Sequence, residues 1–289
     1  MCVDLHLHSI YSDGTASPSE LAAMAAQHSL SAISLTDHDT VEGTFELQEQ
    51  ARRHNLTVIP GLEISADHDG TPVHILGYGI DPASAELQQW LIPLQEGRSQ
   101  RNARIISKMR QLGHVIGPDE LRSVSGLGQA GRPHIARLLV DKGIVSSINE
   151  AFTRYLRRGG SAWFGRFAYS TAESIAMIHR AGGLAVLAHP GQILLKSGTL
   201  PLLIARLADY GLDGLEVYYP AHQPAVHKRL KVLARKYALV VTGGSDYHGH
   251  NKKYSVMAGE KGGFCPPDSI LHSIRARLDL RRAPNHATT

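Results

Sequence analysis

Val3-Asp4-Leu5-His6-Leu7-His8 alternates apolar and polar residues along its length. A β-strand turns successive side chains to opposite faces, so the stretch sets Asp4, His6 and His8 on one face and Val3, Leu5 and Leu7 on the other. Two imidazoles then point the same way from one strand. Six further strand-like runs follow at 32–36, 57–60, 73–78, 184–188, 214–218 and 239–242, most of them separated by segments of helical period. Strand and helix in alternation make βα units around a parallel sheet or barrel. The helix signals agree. Ser17-Pro18-Ser19-Glu20 is a capping box with proline at the first helical position, opening a helix over 20–28. Further helices are expected over 42–54, 171–181, 200–210, 223–237 and, after Pro266-Pro267, 268–278, with 281–289 as a frayed tail.

Between 83 and 167 the alternation stops and the chain reads as helices over 85–112, 133–142 and 148–155, with turns at Gly126, Gly128, Gly131 and Gly159-Gly160. The expected organisation is a barrel of residues 1–82 and 168–289 carrying an inserted helical subdomain, 83–167. At 289 residues, with 43% hydrophobic and 19% charged residues, the chain is an ordinary globular protein and not a disordered one. The charge balance of +4 fits an acidic small molecule or a short nucleic acid as partner, and is too mild for coating duplex DNA. Cys2 and Cys265 lie at opposite ends and form no CxxC unit, so neither a disulfide framework nor a thiolate zinc site is expected, in keeping with a reducing cytoplasm. The amino-terminal sequence has no export signal, and no apolar run approaches a membrane span.

Seventeen histidines make their placement the question to ask. Thr36-Asp37-His38-Asp39 follows the second strand, Gly61-Leu62-Glu63 the third, Ala188-His189-Pro190 the fifth and Gly243-Gly244-Ser245-Asp246-Tyr247-His248 the seventh, while His74 sits within an apolar strand. The carboxyl ends of barrel strands converge on one face, where catalytic residues collect. Nine ligands would meet there: His6, His8, Asp13, His38, Glu63, His74, His189, Asp246 and His248. Nitrogen and carboxylate ligands without cysteine suit Mn²⁺, Zn²⁺ or Fe²⁺. The set is too rich for one ion, and Glu63 reads as the bridge. His74, in mid-strand, also fits a satisfied core histidine. Asp4, Asp37 and Asp39 read either as acceptors for the second N–H of ligating imidazoles or as solvated groups. Glu216 and His222 line the pocket without an assignable role.

On a helix, Arg98, Arg101, Arg104 and Lys108 make one cationic stripe, and Gly131-Arg132-Pro133-His134 opens another helix whose free N–H groups attract phosphate. Arg101, Asn102, Arg104, Arg132 and His134 therefore read as phosphate-binding residues, with solvated surface charge as the alternative.

Taken in order, His6-x-His8, Asp13, Thr36-Asp37-His38-Asp39-Thr40, Glu63, Ala188-His189-Pro190 and Ser245-Asp246-x-His248 resemble the PHP (polymerase and histidinol phosphatase) family, a branch of the amidohydrolase superfamily. That resemblance implies a distorted (β/α)₇ barrel and two or three divalent metals, Mn²⁺ foremost. His6, His8, Glu63 and Asp246 would hold one ion, Glu63, His74 and His189 a second, and Asp13, His38 and His248 a third. The helical insertion and Arg101-Asn102-Ala103-Arg104 resemble the nucleotide phosphoesterase subgroup, which includes 3′,5′-nucleoside bisphosphate phosphatases and exonucleases of short 5′-phosphorylated RNA. The implied reaction is hydrolysis of a nucleotide phosphate ester by in-line attack of a metal-bound hydroxide, with Asp246, Glu63 and His189 catalytic, and Asp13 and His38 also touching substrate. The alternatives are C–N hydrolysis, the superfamily's other use of such a site, and a non-catalytic binding module. The expected partner is a small nucleotide or short oligonucleotide, in the cytoplasm, with no membrane and no obligate protein partner.

Overall fold

A computed structural model describes residues 1–126, 128–193, 198–251, 256–260 and 263–282. In chain order the elements are β1 (Cys2–Leu7), α1 (Pro18–Gln27), β2 (Leu30–Leu35), α2 (Thr44–Arg52), β3 (Thr57–Val58), β4 (Gly61–His68) and β5 (Thr71–Tyr78). The insertion follows as α3 (Ala85–Gln111), α4 (Pro118–Ser125), α5 (Arg132–Asp141) and α6 (Ile148–Ala151), the last running into a π-helical turn, Phe152–Leu156. Then come α7 (Thr171–Arg180), β6 (Leu184–Leu187), α8 (Leu200–Asp209), β7 (Gly214–Tyr218), α9 (Pro224–Lys236), β8 (Val240–Gly243) and α10 (Ser269–Arg282). The Ser17 capping box forms as expected, Glu20 N–H donating to Ser17 Oγ at 3.2 Å and Ser17 N–H to Glu20 Oε2 at 2.7 Å.

The fold is α/β, but the ladders make two sheets and, among the described residues, no closed barrel. One sheet is β1-β2-β3, parallel; the other is β4-β5-β6-β7-β8, in which β4, β5 and β6 run antiparallel and β6, β7 and β8 parallel. The departure begins at β4, a strand absent from the sequence reading. Asp69 and Gly70, both at positive φ, form a two-residue turn that pairs His68 with Thr71. Left-handed conformations at both central positions match the twist of the flanking strands, which is why Asp-Gly favours a hairpin. Glu63 therefore stands third in an eight-residue strand, not at a strand end. Isolated bridges stitch the two sheets: Asp246 N–H donates to the His6 carbonyl (2.8 Å), His8 N–H to Tyr247 (3.0 Å) and Asp39 N–H to Glu63 (2.9 Å). The motifs read as metal ligands in the sequence lie along these seams.

Val3, Leu5, Leu76, Tyr78, Leu184 and Val186 pack between the sheets and α10, and Tyr78 Oη donates to the Leu5 carbonyl (2.9 Å). The insertion has its own core, from Ile105 through Ile135 and Leu139 to Leu156 and Ala162. The first half of α3 belongs elsewhere, since Leu87, Leu91 and Leu94 are buried with β4, β5 and α7. One helix thus roots the insertion in the main core, each buried leucine contributing about 1.5–3 kcal/mol. Helix α4 was also unforeseen; Pro118 starts it and Glu120 accepts the Gly117 N–H at 2.8 Å. Arg281 and Arg282, expected in a frayed tail, close α10, and the rest of that tail, 283–289, lies outside the described residues.

Contrary to expectation, Cys2 and Cys265 form a disulfide, their Cα atoms 5.2 Å apart. Distance along the chain hid their proximity: Cys2 bridges Pro267, and Val3 N–H donates to the Pro266 carbonyl at 3.0 Å. The argument for a reducing compartment from unpaired cysteines falls with it. Among the described residues no helix is long and apolar enough to cross a membrane.

Candidate metal centre

Glu63, 1% exposed, stands at the middle of five imidazoles. Its Oε2 lies 3.4 Å from His6 Nε2, 3.3 Å from His8 Nε2 and 3.0 Å from His38 Nδ1, and its Oε1 lies 2.9 Å from His74 Nδ1 and 3.0 Å from His189 Nε2. The two oxygens divide the imidazoles into two sets, as a carboxylate shared between ions would. Strand β1 delivers His6, and His8 follows directly after its last residue, while β4 and β5 bring Glu63 and His74 in from an antiparallel hairpin.

Asp246 closes the other side. Its Oδ1 is 3.3 Å from His8 Nε2, 3.6 Å from His6 Nε2 and 3.3 Å from His248 Nδ1. Asp13 Oδ1 is 3.2 Å from His248 Nε2, and Asp13 Oδ2 is 3.9 Å from His38 Nε2. All nine expected ligands are thus gathered. Among the described residues, ligand atoms within 4.8 Å of one another fall into four overlapping groups: His8, Asp13, His38 and His248; His6, Glu63 and His189; His6, His8 and Asp246; and His38, Glu63 and His74. His8 joins the group expected to hold only Asp13, His38 and His248. His189 and Asp246 have φ of 28° and 54°. Such conformations cost about 1–3 kcal/mol in a non-glycine residue and persist where the surroundings impose them.

The donor set fits divalent cations. Nε2 of His6, Nε2 of His8 and Nδ1 of His38 are buried and lack a hydrogen-bond partner, a costly state that a cation would relieve. Burial works against protonating His8, yet Asp246 and Glu63 hold its pKa up to about 9. Burial likewise opposes charge on Glu63, but the imidazoles of His74, His38 and His6 keep its carboxyl well below the usual range. A cavity of about 870 Å³ opens from Asp13, His38, Glu63, His74, His189, Asp246 and His248 toward Pro133, Ile148 and Phe152 of the insertion.

Glu216, left without a role by the sequence, holds two of these residues. Its Oε1 is 2.9 Å from His6 Nδ1, and its Oε2 accepts the His189 N–H at 2.6 Å. Glu216→Gln keeps the shape but converts one acceptor into a donor. Affinity for Mn²⁺, read by calorimetric titration, is expected to fall about 10- to 100-fold with little change in folding; an unchanged isotherm would make Glu216 a packing residue. His222 accepts the Gly191 N–H (3.1 Å) and donates through Nδ1 to the Val217 carbonyl (2.9 Å), fixing the turn after His189.

The flanking aspartates are neither solvated nor acceptors for the imidazole rings. Asp4 accepts the backbone N–H of Ser245 (2.8 Å) and Ala258 (2.9 Å), and burial pushes its pKa up to about 6. Asp37 accepts Ser9 N–H (2.7 Å) and the Ser9 and Ser12 hydroxyls, ordering the loop that leads to Asp13. Asp39 pairs with Arg98 Nε (2.7 Å) and Arg166 Nη1 (3.3 Å).

The expected cationic stripe is split. Arg98 and Arg101 are buried, whereas Arg104 is exposed with its guanidinium 4.5 Å from the Phe164 ring centre, and Lys108 is half-buried. In place of a stripe there is a cluster. Burial first, then Arg98, Arg166 and Arg132, push Arg101 well below the usual arginine range, and burial and Arg98 lower Arg132 too. Arg166, from the end of the insertion, has a pKa lowered to about 10 by burial and Arg98 against the pull of Asp39. Sequence reasoning missed it because no motif surrounds it. Asn102 receives two hydrogen bonds from Arg101 and donates to the Ala130 carbonyl (2.7 Å), so it aims its neighbour. Arg132 Nη1 donates to the Leu156 carbonyl (3.2 Å), and His134 Nδ1 accepts the Gly131 N–H (2.9 Å), capping α5. The cluster adjoins the metal-ligand residues, since Gly131 packs against Asp13 and Arg98 pairs with the residue after His38.

The PHP domain family model matches residues 4–239. The chain belongs to the PHP family. It is 34% identical over 249 residues, 85% of its length and 84% of the relative's, to the 5′-3′ exoribonuclease Rnm of Salmonella typhimurium. It is 32% identical to the 3′,5′-nucleoside bisphosphate phosphatase of Chromobacterium violaceum, over 85% of its length and 87% of the relative's. A phosphoribosyl 1,2-cyclic phosphate 1,2-diphosphodiesterase of Eggerthella lenta is also 32% identical, over 86% of this chain and 95% of its own. A solved structure from Bifidobacterium adolescentis, described as a metal-dependent phosphoesterase, superposes with a TM-score of 0.85 at 30% identity, over 95% of this chain and 96% of its own. With that membership comes the reaction class: this PHP protein is a metal-dependent hydrolase of phosphate esters.

Proposed function

We propose that the protein removes the 3′-phosphate of nucleoside 3′,5′-bisphosphates and cleaves short 5′-phosphorylated oligoribonucleotides, with two or three divalent ions, Mn²⁺ by preference, on the nine clustered residues. The observation that carries the substrate class is the arginine cluster. Arg98, Arg101, Arg132 and Arg166 crowd into one buried region with Asp39 as the carboxylate paired to Arg98 and Arg166. A surplus of desolvated guanidinium charge beside a metal centre matches a second phosphate, and the fork of Arg suits its oxygens. Insertion residues 83–167 supply all four arginines and most of the apolar wall of the cavity, so they form the substrate-binding subdomain of this reading.

Bound ions would lower the pKa of water and neutralise charge on the phosphoryl oxygens. Glu63 would join two ion sites through its two oxygens, with His6, His8 and His38 toward one oxygen and His74 and His189 toward the other. In this reading Asp246 moves the proton. Tyr219 Oη donates to its Oδ2 at 2.8 Å, and burial together with Asp246 raises the phenol far above its ordinary pKa, so Tyr219 keeps its hydrogen. Asp246 Oδ1 stays turned toward His6 and His8, where a proton from water would be received and passed to the leaving alkoxide.

The test is hydrolysis by the Mn²⁺-loaded protein of a nucleoside 3′,5′-bisphosphate, a simple phosphate monoester and a panel of amides. Release of phosphate from the bisphosphate with the highest kcat/KM supports the reading; amide hydrolysis without phosphate release overturns it. His248, in the loop after β8, offers a milder probe. His248→Asn is expected to weaken one metal site while thermal unfolding stays cooperative, and loss of that cooperativity would mark a structural histidine.

A further inference from the structure

A second cavity meets the metal-ligand cluster from another side. It measures about 380 Å³, and His74 and His189 line it as they line the larger one. Its remaining wall comes from the start of β5 (Thr71, Pro72, Val73), from Gln192 and Ile193 after His189, and from Arg158 at the end of the insertion. The larger cavity leads toward Pro133 and Val140 of α5 and Ile148 of α6; this one leads out between Thr71 and Arg158, beside the Asp69-Gly70 turn. A phosphate monoester extends one organic arm from the phosphorus, so one cavity holds it. A phosphodiester extends two, and tetrahedral phosphorus sends them apart.

We propose that the smaller cavity binds the nucleotide on the far side of the scissile phosphodiester, making it the subsite that lets this protein act on a strand as well as on a mononucleotide. The inference rests on the nucleotide reading above. The chemistry of the wall suits the occupant: Pro72, Val73 and Ile193 offer apolar surface to a sugar or base, and Arg158 offers positive charge at the rim. Arg158 is exposed, and among the described residues it forms no ion pair; its Nη1 donates to the Gly70 carbonyl at 3.3 Å and its guanidinium lies 5.9 Å from the ring centre of Trp163. Trp163 is 36% exposed beside it, an aromatic face of the kind on which a base stacks.

The experiment compares kcat/KM for a 5′-phosphorylated trinucleotide with kcat/KM for the corresponding nucleoside 3′,5′-bisphosphate in the Mn²⁺ protein, wild type and with Arg158→Glu or Gln192→Glu. Both positions are exposed, so the fold should bear the change. Reversing or adding charge beside the strand is expected to lower the trinucleotide-to-bisphosphate ratio about tenfold. An unchanged ratio in both variants overturns the subsite, as does a wild-type protein that hydrolyses the bisphosphate and not the trinucleotide. A wild-type protein inactive on both overturns the nucleotide reading itself, which separates the two failures.

Discussion

Glu63→Gln is expected to lose metal and activity together. The substitution keeps the volume and removes the carboxylate charge that lies within 2.9–3.4 Å of five imidazoles. A glutamine offers one acceptor oxygen, so it can satisfy one of the two sets of histidines and turns an N–H toward the other. Charge stabilisation by metal at a phosphoryl group is worth several kcal/mol and each ~1.4 kcal/mol is tenfold, so kcat should fall about a thousandfold or more. Elemental analysis should show metal content reduced by at least one ion per chain. Full metal content in an inactive variant would sink the bridging role and leave Glu63 a proton carrier; full activity would remove it from the site.

Arg101→Ala and Arg132→Ala should separate substrates. If the buried guanidinium cluster holds the second phosphate, each truncation removes charge-assisted hydrogen bonds worth about 1.5–3 kcal/mol, a roughly 10- to 150-fold loss in kcat/KM on a nucleoside 3′,5′-bisphosphate. A simple monoester has no second phosphate and should barely respond, and metal content should stay normal. Arg101 is the sharper probe, because its hydrogen bonds run to the adjacent Asn102 and the repulsion from Arg98, Arg166 and Arg132 on it outweighs the pull of Asp39. Relief of that repulsion should leave the folded state no less stable in thermal melts. Equal losses on both substrates would assign the arginines to the metal site or the fold, and no loss on either would make the cluster a structural one.

Most of the candidate metal ligands were legible because they travel in short local patterns. The alternation from Val3 to His8 pairs His6 with His8 without reference to anything distant, and Ala188-His189-Pro190 and Ser245-Asp246-Tyr247-His248 each follow an apolar run. What was misread depended on pairing partners. Pro60 ends the strand-like run 57–60 in the sequence, which leaves β4 without a strand assignment, although Asp69-Gly70 between apolar alternations is a hairpin signal. Once β4 and β5 run antiparallel, the alternation of βα units fails and two sheets replace a closed barrel. Glu216 and Arg166 carry no local signature at all; their roles arise from what packs beside them, His6 and His189 in one case and Asp39 in the other. The split of the cationic stripe has the same origin, since helical spacing places Arg98, Arg101 and Arg104 on related faces but says nothing of which stretch of α3 is covered.

The Cys2–Cys265 bond turns the chain into a covalent ring that takes in every segment described here except the last helix. A protease that cuts anywhere between the two cysteines, for example at an exposed turn of the insertion, opens the ring without parting the pieces. The strand bearing His6 and His8 would stay tethered to the segment that precedes α10, and through it to the loop of Asp246 and His248, whose backbone Asp4 already grips. A nicked molecule would migrate as one species until a thiol reductant is added, and it could keep both halves of its metal centre at an effective concentration that two separate fragments in dilute solution would not reach.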